Sequence, residues 1–224
     1  MDAPRIVVIT GLAFEAEIAR SATERVCCGH GAHLTSAIRD AIAEGCDGVI
    51  SFGIAAGLDS ELRPGTVVIA SEVVQSTGEA MPTDEKWRAS LLDRCRPAVA
   101  GKLLGTDEPA VSVETKRQFR AETGASVLDM ESHIAATYAA AYGFPFAVLR
   151  VVADPANRVV PELAVKAMRA DGSSDAVSVM RGLARHPRQL LPLTRIALET
   201  WRARRALVQA RRRLGPAFGL VDFR

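Results

Sequence analysis

Apolar and polar positions fall into alternating blocks along this chain, and the blocks predict elements. Arg5–Thr10 (RIVVIT) is apolar and β-branched, the pattern of a strand covered on both faces. Glu15-Ala16-Glu17 opens a helix shortly after Gly11. Cys27–Ala32 is punctuated by Gly29 and Gly31 and reads as a turn. Leu34–Glu44 places Leu34, Ile38, Ala41 and Ile42 at helical spacing. Asp47–Phe52 is the next strand, and the glycine-containing stretch Gly53–Leu58 (GIAAGL) reads as a loop where the backbone approaches a ligand. Pro64-Gly65 is a turn and Thr66–Ala70 a strand. Ser76–Lys86 is polar and holds Gly78, Pro82 and Asp84, which predicts a long loop and a candidate lid. Trp87–Cys95 reads as a helix, Gly101–Gly105 as a short strand and Thr115–Glu122 as a helix.

Residues 127–156 (VLDMESHIAATYAAAYGFPFAVLRVVADPA) form the most informative stretch. Val127–Leu128 ends a strand. Ser132–Tyr142 is rich in alanine with His133 as its one ionisable group short of the tyrosines, which suits a buried helix, and Gly143 and Pro145 stop it. Phe146–Ala153 is an apolar run broken only by Arg150, the signature of a covered strand. Glu131 opens the helix and Asp154 closes the strand. Ligands of open α/β sheets bind at the carboxyl ends of strands, so the two acids are candidates to share a crevice. Taken singly, each has a structural use: Glu at a helix N-terminus favours the dipole, and Asp before Pro makes turns.

The alternation of strands and helices predicts a three-layer α/β domain. Beyond it, Glu162–Arg169 and Ala176–Leu183 read as further helices, and His186-Pro187 begins an appendage. From Leu193 the apolar residues Leu193, Ile196, Ala203, Leu207, Ala210 and Leu214 recur at helical spacing, with Trp201 and Val208 beside them. Seven arginines cover the rest: Arg195, Arg202, Arg204, Arg205, Arg211, Arg212 and Arg213. Such a helix either packs on the body or on a partner subunit, or lies on an anionic membrane surface. Nucleic acid is disfavoured because the helix lacks interleaved aromatics.

Charge sharpens this picture. The chain of 224 residues has a net charge of only +2, but from Arg181 onward there are eleven arginines against two acids, so the body is acidic and the tail basic. The four cysteines, Cys27, Cys28, Cys46 and Cys95, form no C-x-x-C pair, which predicts a reducing, cytoplasmic compartment. Cys28, His30 and His33 lack a fourth metal ligand, and no metal is expected. The acidic and basic residues Asp2, Arg5 and Glu15 near the start argue against a secretory signal, and no apolar run is long enough for a spanning helix.

Four segments, GLAFEAE at 11–17, SFGIAAGL at 51–58 with LRPGTVVIAS at 62–71, VLDMES at 127–132 and VLRVVADPA at 148–156, resemble the nucleoside phosphorylase/nucleosidase superfamily. Their layout is most similar to methylthioadenosine/S-adenosylhomocysteine nucleosidases. The short front and the arginine-rich end (PRQLLPLTRIA) look more like the hopanoid-associated phosphorylase branch. The resemblance implies an α/β/α sandwich with a central mixed sheet over residues 1–186, followed by the helical appendage at 187–224. It also implies release of adenine from adenosylhopane, with a soluble 5′-substituted adenosine as the alternative substrate. A nonenzymatic nucleotide-binding module is the alternative of another class, motivated by Ile54 and Ala153, where family members often carry hydroxyl residues.

Residue by residue, the resemblance makes Asp154 the general acid at purine N7, Glu131 the acceptor of the ribose hydroxyls and Glu15 the group that activates water. Met130 would pack on the sugar, and Arg150 would orient Glu131 or neutralise buried acid. Gly53, Ala55 and Gly57 would let backbone approach base and sugar, and Gly11, with Arg20, would serve a phosphate. Phosphorylases commonly have arginine where Ser51 stands, so water or inorganic phosphate both remain as nucleophile, with no other cofactor. The resemblance further implies a homodimer, and the basic tail implies peripheral attachment at the inner face of the membrane.

Overall fold

Strand β1 (Ile6–Thr10) is buried at all five positions, and its side chains part between two cores. Ile6 and Val8 point to one face of the sheet, Val7 and Ile9 to the other. A computed structural model describes residues 4–21, 24–161, 169, 171–173 and 190–220 of the chain. In it, β1 is followed by α1 (Ala13–Ala19), β2 (Glu24–Cys28), α2 (Gly31–Ala43), β3 (Gly48–Gly57), β4 (Val67–Gln75), β5 (Ala80–Pro82), α3 (Glu85–Arg94), β6 (Val99–Gly105), α4 (Val113–Thr123), β7 (Val127–Asp129), α5 (Ser132–Tyr142) and β8 (Phe146–Asp154). A long helix α6 (Leu190–Leu214) comes last, followed by a 3₁₀ turn at Pro216–Gly219.

The eight strands form one mixed sheet, as expected. β1 pairs in parallel with β2 and β3, and β3 in parallel with β8. β8 runs antiparallel to β4, β4 parallel to β6, β6 parallel to β7, and β7 antiparallel to the end of β3. The pairings β3–β8–β4–β6–β7–β3 therefore close a ring, from which β1 and β2 extend. Helices α2 and α5 cover one face through Leu34, Ile38, Ala135 and Ala139. Helices α3 and α6 cover the other through Trp87, Leu91, Leu207 and Leu214. Burial on both faces explains why the central strands are continuously apolar.

Three expected elements differ. The turn at 27–32 begins as strand: β2 occupies Glu24–Cys28 beside β1, and only Gly29 and His30 make the turn before α2. The strand lies at the sheet edge, where charged residues such as Glu24 and Arg25 mask the apolar signal. The loop expected at 53–58 is mostly the continuation of β3 through Gly57, because β8 and β7 supply hydrogen-bonding partners for these small residues. The candidate lid at 76–86 is a hairpin and a cap. β5 pairs back on β4, and the Asp84 carboxylate accepts from the Trp87 amide at the start of α3. The central unit is as read: α5 spans Ser132–Tyr142 and ends at Gly143, whose φ of 70° suits glycine.

Helix α6 packs on the body. Ala203, Leu207, Ala210 and Leu214 are buried in the same core as Ile6, Phe52 and Val151, so this apolar stripe is covered by protein and does not face lipid. Leu198 and Trp201 remain exposed among the arginines. The helices expected at 162–169 and 176–183 and the boundary at 186 lie outside the described residues, Arg169 apart. Among the described residues no helix is long and apolar enough to cross a membrane.

Candidate active site

The closed ring gathers the carboxyl ends of β1, β3, β7 and β8 at one end of the sheet. A cavity of about 400 Å³ opens there, within the size range of small-molecule sites. Glu15, Asp129, Met130, Glu131 and Asp154 line it, as do Gly11, Ile54, Ala55 and Ala56. Leu12, Phe14, Leu128, Val160 and Ile196 add apolar wall. Glu131 and Asp154, 23 positions apart in sequence, thus share one hollow. At that point β3 shifts register between Ala55 and Ala56, bringing Ala56 opposite Asp154.

Each acid is held differently. Glu15 stands in the first turn of α1 and bends back to its start. One carboxylate oxygen accepts from the amides of Gly11 (2.9 Å) and Leu12 (2.8 Å), the other from the amide of Ile54 (2.7 Å). Burial raises its carboxyl to about 7, with Arg150 pulling the other way and Glu131 adding to the rise.

Glu131 is equally buried, which by itself raises its carboxyl. The His30 imidazole, with Nδ1 2.8 Å from Oε1, and the charge of Arg150 outweigh burial, so its carboxyl lies below the usual range and it is held as the anion. Asp154 ends β8. Burial raises its carboxyl, and the Lys116 ammonium, 2.5 Å from Oδ2, opposes that rise.

Arg150 is 1% exposed and sits beneath the cavity, not in its wall. Its Nε pairs with Asp129 Oδ2 at 2.5 Å, and its Nη2 with Glu131 Oε2 at 3.2 Å and with Ser51 Oγ at 2.7 Å. Its place is therefore that of a support under Glu131, and direct substrate contact is not what the geometry gives it.

Gly53 and Gly57 also miss the cavity wall. A Cβ on Gly53 would stand 2.5 Å from both Arg150 Nη1 and Glu15 Oε1, so this glycine makes room for the buried charges. Gly57 packs on Val152 and the backbone at Asp154. Gly11 lines the cavity, but a Cβ there would collide with Glu131 Oε1, and its amide is taken by Glu15. Arg20 is exposed at the end of α1 and does not line the cavity.

The family model described as Phosphorylase superfamily matches residues 9–185. The chain belongs to the phosphorylase superfamily. No curated protein sequence matches it. Among solved structures, it is similar to a Helicobacter pylori methylthioadenosine nucleosidase variant with 5′-methylthioadenosine in the active site, at a TM-score of 0.67 and 15% identity, covering 95% of this chain and 97% of that one. The Campylobacter jejuni 5′-methylthioadenosine/S-adenosylhomocysteine nucleosidase gives a TM-score of 0.62 at 17% identity, covering 70% of this chain and 88% of that chain. A Helicobacter pylori futalosine hydrolase mutant gives 0.62 at 18%, covering 70% and 90%. At such identities the structures establish a shared fold.

Within this superfamily chain, five contributors escaped the sequence reading. His30, read as part of a turn, pairs with Glu131. Asp129, in the VLDMES segment, anchors Arg150 and accepts from the Ser132 amide at 2.9 Å. Lys116 is one lysine on a polar helix, and only its complete burial distinguishes it. Ile196 and Thr200 of α6 reach the cavity although the matched family region ends at 185. Nothing local in sequence marks them, because only the packing of α6 brings them there.

Proposed function

We propose that this phosphorylase-superfamily chain is a nucleosidase that releases adenine from a 5′-substituted adenosine. The observation that carries the reading is that four carboxyls, Glu15, Asp129, Glu131 and Asp154, face one cavity, with Glu131 held as the anion beside His30 and Arg150 while burial raises the other three. Environments that push neighbouring acids apart assign acid and base roles.

In this reading Asp154 gives a proton to purine N7 while the C1′–N9 bond breaks and its electron pair leaves with the base. Glu131, ionised, accepts hydrogen bonds from the ribose hydroxyls. Three carboxyls (Glu15, Asp129, Glu131) cluster around one guanidinium, so the site favours positive charge developing on the sugar. Glu15 takes a proton from water as its oxygen bonds to C1′. Met130 packs on the sugar.

Water is favoured over phosphate on two grounds. Backbone amides at 11, 12 and 54 form a nest fit for an anion, and the Glu15 carboxylate fills it. Among the described residues, His30 is the sole basic side chain lining the cavity. Inorganic phosphate remains the alternative co-substrate that the assay includes.

The finer proposal is adenosylhopane as substrate, giving ribosylhopane with water or phosphoribosylhopane with phosphate. The apolar wall and the resemblance of the chain's end support it. Attachment to an anionic membrane surface belongs to the same proposal, through the exposed side of α6. Homodimerisation belongs to it through the resemblance alone.

The test is incubation of the protein with adenosylhopane and with methylthioadenosine, each with and without phosphate, followed by identification of adenine and the sugar product. Asp154→Asn should lose roughly 100- to 10,000-fold in rate. Near-native adenine release by that variant would overturn the assignment. Tight adenine binding with no turnover of any substrate would favour the nonenzymatic module. Fast turnover of methylthioadenosine alone would remove the lipid reading.

A further inference from the structure

Asp154 has a neighbour that the proposed chemistry leaves unused. Lys116, on α4, is fully buried, and its Nζ has three partners: Asp154 Oδ2 at 2.5 Å, the Pro155 carbonyl at 3.1 Å and the Arg158 carbonyl at 3.0 Å. The loop it holds is tied again to the stretch before α4 by the Val160 amide and the Val111 carbonyl at 2.9 Å, and to α6 by Arg158 and Glu199 at 2.7 Å. Glu199 also acts on Asp154, and it opposes Lys116. A buried lysine placed only for stability is an expensive choice, since desolvating an ammonium costs several kcal/mol before its partners repay it.

The arrangement also poses a chemical problem. An ammonium this close favours Asp154 as the anion, yet the proposed reaction needs a proton on it. The contacts solve the problem. An ammonium has three N–H donors and a neutral amine has two donors and one lone pair. Two carbonyls take two of the donors whichever form is present, and the third position faces the carboxylate. A proton can shift from Nζ to Oδ2 without losing a hydrogen bond.

We propose that Lys116 is a positioning residue that acts through Asp154, clamping its carboxyl and the 155–158 loop and storing the proton that Asp154 delivers to the leaving base. As N7 accepts the proton from Asp154, Asp154 takes one from the Lys116 ammonium. The bond electrons leave with adenine, and the neutral amine recovers a proton from solvent after release. This inference rests on the nucleosidase reading.

The experiment measures adenine release against pH for the full chain, together with adenine binding by calorimetry over the same range. The proteins are the unchanged chain, Lys116→Met, Lys116→Arg and Asp154→Asn. Arginine keeps the charge and can reach the carbonyls, but it does not give up a proton in proteins. Lys116→Arg should therefore lose roughly 10- to 100-fold in kcat at pH 8, with the deficit shrinking toward pH 6 as Asp154 takes its proton from solvent, while Lys116→Met, which removes the opposing charge and lets burial raise Asp154 further, should show a smaller deficit at pH 8.

Full rescue by Lys116→Arg, or a deficit independent of pH, would overturn the proton store and leave a clamp. Melting temperatures separate a folding loss: if Lys116→Met does not fold, Lys116→Arg carries the decision. If the unchanged chain neither binds nor releases adenine, the nucleosidase reading falls and this inference with it. If Asp154→Asn is impaired while Lys116→Met and Lys116→Arg follow the unchanged pH profile, only this inference falls.

Discussion

Nδ1 of His30, in the turn between β2 and α2, stands 2.8 Å from Oε1 of Glu131 at the start of α5. The contact raises the pKa of the imidazole and helps keep Glu131 an anion despite burial. In the proposed chemistry, removing it leaves Glu131, the acceptor of the ribose hydroxyls, less charged and held by Arg150 on one side. His30→Ala should raise KM for the nucleoside roughly 10-fold, about 1.4 kcal/mol, through loss of this ion pair. Steady-state kinetics check this. An unchanged KM would mean that His30 does not hold the acceptor in its working position.

Arg150 should matter to folding more than to substrate contact. It is buried with Asp129 and Glu131, and deleting the cation strands two carboxylates in the core. Arg150→Met should cost on the order of 3–5 kcal/mol in urea unfolding at pH 8. The loss should shrink at acid pH, where the stranded carboxyls take up protons. A loss independent of pH would point to packing instead of charge.

Glu15 predicts two pH effects of known sign. If it is the base of the proposed reaction it must be ionised, so kcat/KM should rise with pH through about 7, and Glu15→Gln should remove nearly all activity. For stability, its carboxyl is raised from 4.5 to about 7 in the folded chain. The folded state then holds the proton more tightly. That stabilisation is fully present below pH 4.5 and is lost as pH rises through about 7, a change of about 3 kcal/mol. Melting curves of the unchanged chain and Glu15→Gln over this interval test it. Their difference should vary with pH, and a constant difference would contradict it.

For α6, core and surface residues should separate cleanly. Leu207→Ala should destabilise by roughly 2–5 kcal/mol, because Leu207 is fully buried against the sheet. Truncation before Leu190 should expose that core and lower the yield of folded protein. Membrane attachment needs a gentler variant. Arg202→Glu with Arg205→Glu changes two exposed arginines beside Trp201 and should reduce sedimentation with anionic vesicles while leaving the melting temperature within a few degrees. Unchanged sedimentation would confine α6 to its packing role.

The stretch 127–156 was legible because its signals agree. Alanine, a glycine stop and a β-branched run predict helix, turn and covered strand, and α5 and β8 follow them closely. The edge strand β2 was not legible, since Glu24 and Arg25 look like loop residues until β1 pairs with them. Gly53 was legible as special but for the wrong neighbour: only the assembled sheet shows that its missing Cβ leaves space for Arg150 and Glu15.

By itself, the sequence determined the alternation of elements, the mixed α/β class and the three acids at positions 15, 131 and 154, because hydrophobic period, helix stops and local motifs are short-range properties. Tertiary structure alone decided which charges meet. His30 reaches Glu131, Lys116 reaches Asp154 and α6 walls the cavity only when segments distant along the chain pack together. Protonation follows from those meetings, since it depends on burial and on the nearest opposite charge, and neither is written in any one stretch of residues.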